Sequence, residues 1–351
     1  MSKTLFLSLA PNAINESGHD IIYQKCLESA AKQLDLLYFG LLPQQSEVKQ
    51  LQKNWRPFFR RNKFLKCLDF CRAFSIQREK VIFIESFNTS DLIYLTLGAL
   101  LFSRKRDRLC LLLRYGLNQL RQQGAIHILM AKLCKMRLGS RFVLLTDSEL
   151  IAQECKKHFK EPLIVVPIPH GEAKIQWEDK NNKIICWWPG IPRAAKGLNE
   201  LVRIAQLPRD VKRVELVAAR QSQLPNTTLI PDVLSREEYL FWLHASDCIL
   251  LPYDPIVYRS GTSGIFVEAI LAGKIPLVKE GSWLAHELFR HGLDELIIDW
   301  NDREFFSKIE ALSCTASVQE KLQKMGEAYS KFHSQEAFSE QLRVACRLKK
   351  S

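Results

Sequence analysis

The chain has 351 residues, of which 47% are hydrophobic and 25% charged, so it is long enough for two globular domains and is not a disordered chain. Its formal net charge of +12 favours anionic partners, such as phosphorylated small molecules, anionic lipids or nucleic acid. Ten cysteines without a C-x-x-C pair argue against a disulfide framework or a zinc site and indicate reduced thiols in a cytoplasmic protein.

Strand and helix patterns alternate along the first half of the chain. Strands are predicted at Thr4–Leu9, Leu34–Phe39, Val81–Ile84, Leu109–Leu113, Phe142–Leu145 and Leu163–Val166. Helices are predicted at Asp20–Gln33, Leu92–Phe102, Ala125–Leu138 and Glu149–His158. The N-terminus lacks the pattern of a signal peptide, and the longest apolar run, Leu92 to Phe102, is too short to span a bilayer.

A polar stretch, 171–182, follows and is interpreted as a connector. A second set of strands is predicted at Ile184–Trp188, Val214–Ala218, Thr228–Ile230, Cys248–Leu251, Ile275–Val278 and Glu295–Ile298. Such alternation indicates parallel sheets with crossover helices. We therefore predict an α/β chain of two doubly wound, Rossmann-like domains, 1–170 and 171–334, that face a central cleft. A last helix, within 335–351, could cross back to the first domain.

The segment from Ser260 to Gly273 carries the strongest signal of a binding site. A turn of small residues opens a short helix that is apolar on nearly every side, so the helix should be buried and its one charge, Glu268, should need a partner. Glycines and free N–H groups at a helix start suit a phosphate. At ~1.5 Å per residue, Glu268 lies about 7 Å beyond the turn, as ribose hydroxyls lie from a diphosphate.

This spacing predicts the donor site of a nucleotide-sugar enzyme. Its members would be Gly190, Ser260, Gly261, Thr262, Ser263, Gly264 and Glu268. The alternative is a plain turn, with Glu268 at a solvated edge of the helix.

Two cations follow the strand Ile184–Trp188 in a loop bounded by proline and glycine. Arg193 and Lys196 could hold a diphosphate and stabilise it as a leaving group, and with Glu268 they are the predicted catalytic residues. The alternative is a pair of solvated cations at a helix start, where the helix dipole disfavours them. Because the chain has no Asp-x-Asp pair, we expect neither a metal nor a required cofactor.

These segments resemble the nucleotide-binding domain of GT-B glycosyltransferases, in the retaining, group-1-type enzymes (glycosyltransferase family 4-like). The matching pieces are Trp187–Gly190, Arg193, Lys196–Gly197, Tyr239–Asp247, Leu251–Tyr253 and Ser260–Pro276, with weaker matches at Gly18–Asp20 and Thr146–Ser148. The family often carries two glutamates separated by seven residues. Here Glu268 is the second, and Ser260 stands where the first would contact the donor sugar, which leaves that sugar open.

In the first half, the resemblance implies that the Gly18–His19 loop lies against the donor phosphate or the acceptor. Glu85, Arg114 and Asp147 each follow a predicted strand and could face the cleft. A guanidinium at position 114, where many family members have histidine, would bind an anionic or hydroxyl-rich acceptor. The alternative for His19 is a position next to a helix cap. The alternative for Glu85, Arg114 and Asp147 is a structural salt bridge each.

Basic and aromatic residues alternate from Lys53 to Arg72, and a second basic cluster spans Arg104 to Arg108. This pattern suits an anionic membrane surface or nucleic acid. Nothing resembles a nucleic-acid module, and family members often dock to membranes through their first domain. We expect peripheral contact with the inner face of the membrane, with a solvated amphipathic helix as the alternative.

The resemblance implies transfer of a sugar, a hexose in particular, from a nucleoside-diphosphate donor to a hydroxyl of a glycan or lipid-linked saccharide, as in polysaccharide biosynthesis. Retention is implied, while inversion with Asp20 or Glu85 as base stays open. The rival interpretations are a nucleotide-sugar epimerase or phosphorylase on the same fold and a non-catalytic nucleotide-binding scaffold. The serine at position 260 is the best support for the scaffold.

Overall fold

The computed structural model describes residues 3–9, 19–40, 63–116, 122–159, 162–170, 183–208 and 213–348. The chain forms two compact units. Unit 1 consists of Met1–Pro169 and His333–Ser351, and unit 2 of His170–Phe332. Unit 1 is therefore built from both ends of the chain.

Unit 1 contains a six-stranded parallel sheet with the order β2-β1-β3-β4-β5-β6. Its strands are β1 (Leu5–Leu9), β2 (Leu37–Phe39), β3 (Lys80–Ile84), β4 (Arg108–Leu113), β5 (Phe142–Thr146) and β6 (Ile164–Val165). Its first helices are α1 (His19–Gln33), α2 (Lys63–Ser75), α3 (Thr89–Phe102), α4 (Gln122–Leu138) and α5 (Glu149–Cys155). The central strands are apolar and buried because helices cover both faces of the sheet.

Several unit 1 elements differ from the prediction at their ends: the helix predicted from Ala125 begins at Gln122, and the one predicted to reach His158 ends at Cys155. Two further differences have local reasons. The second strand begins at Leu37 because Asp35 adopts a left-handed conformation, with φ 53°, in the turn that precedes it. The helix predicted from Leu92 begins one turn earlier, at Thr89, because Asn88 and Asp91 form a capping box at its start.

Unit 2 contains a five-stranded parallel sheet with the order β11-β10-β7-β8-β9. Its strands are β7 (Ile184–Trp188), β8 (Val214–Ala219), β9 (Thr228–Ile230), β10 (Cys248–Leu251) and β11 (Ile275–Val278). Its helices are α6 (Leu198–Ala205), α7 (Arg236–Ala245), α8 (Gly264–Leu271), α9 (Trp283–Arg290), α10 (Phe305–Ser313) and α11 (Ala316–Phe332). The strand order reverses between β7 and β10, which is the topological switch point of a doubly wound sheet.

The strand predicted at Glu295–Ile298 is wrong. The residues Asp294–Leu296 form a single 3-10 turn, and only Ile297 makes a bridge to the edge of the sheet, at Val278. One bridging residue does not make a strand, because the chain turns immediately before it.

The last helix, α12 (Gln335–Ala345), packs on α1 within unit 1. The Phe338 ring meets the Tyr23 ring edge-on with centroids 5.9 Å apart, and the Gln335 amide donates to the Cys26 carbonyl oxygen at 3.1 Å. Phe338, Leu342 and Ala345 are buried with the residues of the sheet. The C-terminal residues thus complete the core of unit 1.

The described half of the basic–aromatic stretch belongs to α2, while 53–62 lies outside the described residues. Phe70 and Phe74 are buried in unit 1, and the Lys66 ammonium pairs with the buried Asp91 carboxylate at 3.2 Å. One face of α2 is therefore core. In the parts of the chain that the structure describes, no helix is both long and apolar enough to cross a bilayer.

Candidate functional site

Two loops meet at the point where the strand order of unit 2 reverses. One follows β7, from Pro189 to Gly197, and the other follows β10, from Pro252 to Ser263. Since β7 and β10 pair in parallel, both loops leave the same edge of the sheet. Doubly wound sheets bind their ligands at this position. The two loops are joined directly, because the Asp254 N–H donates to the Ala195 carbonyl oxygen at 3.0 Å.

Two glycines allow the loop after β7 to approach its neighbours closely. Gly190 and Gly197 have φ angles of 89° and 85°, which L side chains rarely adopt. A Cβ at Gly197 would lie 2.2 Å from the Pro252 carbonyl oxygen, and one at Gly190 would lie 2.8 Å from the Lys196 ammonium. Glycine at these positions therefore keeps the two loops together and leaves room for the lysine.

The Lys196 ammonium is held in a setting that favours an anionic partner. It lies 6.0 Å from the centre of the Tyr253 ring, and its backbone carbonyl accepts a hydrogen bond from the Trp188 indole at 3.1 Å. Burial, and then the charge of Arg193, lower the pKa of Lys196 to about 8. A half-desolvated cation beside a second cation gains stability when a phosphate arrives.

The small-residue turn at 260–264 leads into α8 as predicted. The Ser263 hydroxyl caps the helix by accepting from the Phe266 N–H at 3.3 Å. Ser260, Gly261 and Ser263 are buried, whereas Thr262 and Gly264 are half-buried. The helix itself is buried from Phe266 to Ile270. Because this turn follows β10, it lies at the same edge of the sheet as the loop that carries Lys196.

Glu268 does not reach a solvated edge of α8. Its side chain is only 10% exposed and accepts hydrogen bonds from the Arg236 guanidinium at 2.9 Å and from the Tyr239 hydroxyl at 2.6 Å. The Tyr239 ring also packs against Trp187, with centroids 5.3 Å apart. An ionised carboxylate offers about four acceptor positions, so two occupied positions leave capacity for further donors.

Arg236 and Tyr239 stand on α7, and sequence reasoning did not assign them to the site. A buried carboxylate signals that a partner exists, but not which of the chain's basic residues it is. The two residues lie 32 and 29 positions before Glu268, and only the packing of α7 on α8 brings them there.

In unit 1, the structure brings together three residues predicted for an acceptor site. Glu85, Arg114 and Asp147 follow β3, β4 and β5, which are neighbours in the sheet. The pairing of the last residues of β4 and β5 sets Arg114 beside Asp147, with 3.8 Å between Nε and Oδ2. Tyr23, from α1, was missed by the sequence analysis; its ring lies 4.6 Å from the Arg114 guanidinium.

The electrostatics of this unit 1 cluster are mixed. Burial raises the pKa of Tyr23, Arg114 lowers it, and Glu85 and Asp147 raise it further. Burial opposes the charge of Arg114, but Tyr23, Asp147 and Glu85 together hold the pKa of Arg114 above its ordinary value. The cluster therefore carries two carboxylates around one guanidinium, and the Arg114–Asp147 contact is an ion pair.

The remaining predicted positions are only partly described. His19 is the first residue of α1, and Gly18 lies outside the described residues. Across the described ranges, no group of three or more His, Cys, Asp or Glu residues is arranged to hold a metal ion. The ten cysteines are free thiols, six of them buried.

Neither the protein-family models nor the curated protein sequences give a match to this chain. Among solved structures, HepE from Anabaena, in complex with UDP and glucose, is similar with 13% identity and a TM-score of 0.64, covering 98% of this chain and 99% of that one. The UDP-forming α,α-trehalose-phosphate synthase from Burkholderia vietnamiensis has 10% identity and a TM-score of 0.62, with coverage of 99% and 100%. MnaA from S. aureus, bound to UDP, has 12% identity and a TM-score of 0.61, with coverage of 100% and 98%. At these identities the likeness concerns the fold, and the predicted GT-B fold, with two parallel α/β sheets, is confirmed.

Proposed function

We propose that this protein is a glycosyltransferase that moves a hexose from a nucleoside-diphosphate donor to an acceptor hydroxyl. The observation that carries the proposal is the junction in unit 2, where two cations and a small-residue helix start lie at the ends of β7 and β10, at the switch point of the sheet. Such a junction favours the diphosphate of a nucleotide sugar.

Each predicted residue has a role in the proposal. Arg193 and Lys196 hold the diphosphate and stabilise it as it departs, so the reaction needs neither a metal nor a further cofactor. The N–H groups of the 260–264 turn and the start of α8 add to this anion site. Glu268, held by Arg236 and Tyr239, accepts from the ribose hydroxyls with its remaining lone pairs. Ser260 borders the donor sugar and leaves more room there than a glutamate would.

Uridine is the first base to test. The similar structures of HepE, the Burkholderia synthase and MnaA are described with UDP or as UDP-forming. We therefore infer a UDP-hexose donor and, on the acceptor side, a glycan or a lipid-linked saccharide of polysaccharide biosynthesis.

In the proposed reaction, the bond between the anomeric carbon and the diphosphate oxygen breaks and a bond to the acceptor oxygen forms. The acceptor attacks from the face that the diphosphate leaves, and its proton passes to the departing diphosphate; attack on this face gives retention. If a carboxylate took the proton of an acceptor that attacks from the opposite face, the configuration would invert. The anomeric signals of the product in an NMR spectrum distinguish the two routes.

A nucleotide-sugar epimerase is the second candidate, because Glu85 and Asp147 are buried carboxylates at the ends of β3 and β5, the two strands that flank β4. Groups of this kind can move protons on a bound sugar. An epimerase would convert UDP-hexose without an acceptor and release no UDP. Chromatography of the nucleotide products with and without acceptor separates the two reactions.

We also propose that a cytoplasmic protein of this kind contacts the inner face of the membrane through the segment from Leu101 to Arg106. Leu101 is 67% exposed, Phe102 is exposed beside it, and Arg104, Lys105 and Arg106 follow at the surface. Glu79 pairs with Arg108 at 3.0 Å and reaches Arg106 only at 4.0 Å, so the Arg106 side chain stays 81% exposed. Co-sedimentation with phosphatidylglycerol vesicles should occur and should fall strongly in Leu101→Ser; equal binding to phosphatidylcholine vesicles contradicts the proposal.

The proposed function is tested by calorimetry with UDP-, GDP- and ADP-sugars, followed by transfer assays with the tightest donor. Wild-type protein should bind one donor per chain, and Lys196→Met should bind it about tenfold or more weakly, since a charge-assisted contact is lost. A wild-type protein that binds no donor, or a Lys196→Met variant that binds as well, refutes the donor site. A scaffold would bind the nucleotide and turn over no donor.

A further inference from the structure

A cavity of about 660 Å³ opens at the β6 edge of the unit 1 sheet. This volume is in the range of small-molecule sites. Strands β5 and β6, the segment after α5 and the end of α12 supply its apolar lining, which includes Phe142, Leu144, Phe159, Pro162, Ile164 and Val344. We call this cavity the edge groove. All of its lining residues belong to unit 1.

The edge groove exists because β6 is short. Its two residues pair with Leu145 and Thr146 of β5, so in the described pairing the first three residues of β5 have no partner from β6. Leu144, Phe159 and Ile164 are consequently left half-buried. Apolar surface that stays in contact with water is unfavourable, and a bound apolar chain would remove it from water.

The charges around the edge groove have one sign. Its basic lining residues are Lys132 and Lys135, His158 and Arg347, and no acidic side chain is among the described lining residues. Lys132 and Lys135 are three residues apart on α4 and so share a face of that helix. Long basic side chains can lay their methylene groups along apolar surface and keep their charge in water. An apolar floor with a basic rim matches a ligand that is apolar at one end and anionic at the other.

The depth of the apolar lining favours a single chain over a bilayer surface. Phe142 is buried and Leu144 and Ile164 are half-buried, whereas a bilayer surface calls for protruding apolar side chains. Val344, at 45% exposure, stands at the side of the groove. We propose that the edge groove binds one molecule of a single-chain anionic amphiphile, such as a fatty acid or an alkyl phosphate, with the chain on the apolar floor and the anion at the basic rim.

The full-length protein is titrated calorimetrically with sodium dodecanoate and dodecyl phosphate below their micelle concentrations. Dodecanol and dodecyltrimethylammonium are the uncharged and cationic comparisons. The anionic probes should bind one per chain, and the other two about tenfold more weakly, since one ionic contact is lost. Equal binding of the cationic probe overturns the proposal.

Three variants locate the binding. Val344→Trp fills the side of the groove and should abolish binding, while Lys132→Glu should weaken the anionic probes about tenfold and leave dodecanol unchanged. Lys32→Glu makes the same charge change on an exposed lysine of unit 1 that lies outside the groove, and it should change nothing. Circular dichroism melting checks that each variant folds. Binding that survives in Val344→Trp, or that falls equally in Lys32→Glu, overturns the proposal.

Two further measurements separate other occupants. If Val344→Trp abolishes sedimentation with anionic vesicles while the wild-type protein binds no monomeric probe, the groove is a membrane contact and the proposal fails. If ultracentrifugation shows a dimer that Val344→Trp dissociates, the groove holds a second copy of the chain and the proposal also fails. Loss of donor binding in unit 2 would leave this proposal untouched, because the two tests use different ligands and different variants.

Discussion

Glu268 combines a structural contact with a proposed contact to the donor. Its carboxylate is held by Arg236, whose side chain is 31% exposed, and by the hydroxyl of the half-buried Tyr239. Because the guanidinium keeps a third of its surface in water, the ion pair is worth less than a fully buried one. Removing the carboxylate therefore affects stability and ligand binding together, and a second variant is needed to separate the two effects.

Glu268→Ala is expected to lower the free energy of unfolding by about 1.5–3 kcal/mol, since charge-assisted hydrogen bonds are lost. It should also weaken donor binding about ten- to hundredfold. Tyr239→Phe removes one hydrogen bond and keeps the carboxylate, so it should cost about 1 kcal/mol and leave donor affinity nearly unchanged. Denaturant unfolding and calorimetry measure both quantities. If the two variants weaken donor binding equally, Glu268 acts through the fold and does not contact the ribose.

The pKa of about 8 for Lys196 predicts how donor binding depends on pH. The diphosphate binds the ammonium form and raises its pKa in the complex, so affinity should be constant below pH 8 and fall as pH rises through that value. The fall approaches about tenfold per pH unit, one proton being taken up on binding. Calorimetry with a nucleotide sugar between pH 7 and 9 measures it, because the diphosphate diester does not titrate in that range.

Two variants test the assignment to Lys196. Lys196→Met should bind the nucleotide sugar more weakly than the wild-type protein at pH 7, and its affinity should not fall between pH 7 and 9. Arg193→Ala removes the like charge that helps to lower the lysine pKa, so the fall should move to higher pH even though binding is weaker overall. An unshifted midpoint in Arg193→Ala means that another group titrates.

At the scale of elements, the apolar strands were the most predictable part of the fold. Buried parallel strands are continuous apolar runs, so the sequence locates β1, β3 and β7 to within about one residue. The residues that follow these strands are located with the same precision. What could not be predicted depends on contacts across the chain. The partners of Glu268 come from another helix, and the pairing of Tyr23 with Arg114 depends on how α1 lies on the sheet.

The failed strand at 295–298 has a different cause. Two of its three apolar residues, Leu296 and Ile297, pack at the sheet edge as a strand would, but the chain turns at Asp294 immediately before them. Local hydrophobicity reports burial and does not report how many residues pair. Short apolar runs beside polar turn residues are therefore the least reliable strand predictions in this chain.

The close approach of the two loops in unit 2 predicts that replacement by alanine destabilises the protein more at one glycine than at another with a similar backbone conformation. Gly197 and Gly273 both have positive φ, at 85° and 66°. An added Cβ at Gly273 meets nothing within 4 Å, so Gly273→Ala should cost only about 1–2 kcal/mol for its backbone strain. At Gly197 the Cβ meets the Pro252 carbonyl oxygen at 2.2 Å, so Gly197→Ala should cost about 1–3 kcal/mol more, as the loops must separate.

Chemical denaturation compares the stability of the two glycine variants, and calorimetry compares their donor binding. Donor affinity should fall in Gly197→Ala, because the loop that carries Lys196 shifts, and should persist in Gly273→Ala. Equal losses in both variants would show that the close approach of the loops has no part in the site.

At the scale of the whole molecule, each of the two units has its own core. The tryptophan residues allow the unfolding of unit 2 to be followed separately. Each unit has its own sheet and its own buried side chains. Of the seven tryptophans, Trp55 alone belongs to unit 1, and the other six lie within His170–Phe332. Tryptophan fluorescence therefore reports chiefly on unit 2, whereas far-ultraviolet circular dichroism reports on both units.

A core substitution in each unit tests whether the two units unfold separately. Phe338, 3% exposed, closes the core of unit 1 on α12, and Phe305 is buried in unit 2 against Trp300. Each Phe→Ala change should cost about 3–5 kcal/mol. This loss lowers the melting temperature of a unit of this size by roughly 6–20 °C. In Phe338→Ala, circular dichroism should show an early transition that fluorescence does not follow; in Phe305→Ala, the fluorescence transition should move instead. If the transitions seen by circular dichroism and by fluorescence shift together in both variants, the chain unfolds as one cooperative unit. The two cores then do not unfold independently, although each belongs to a separate sheet.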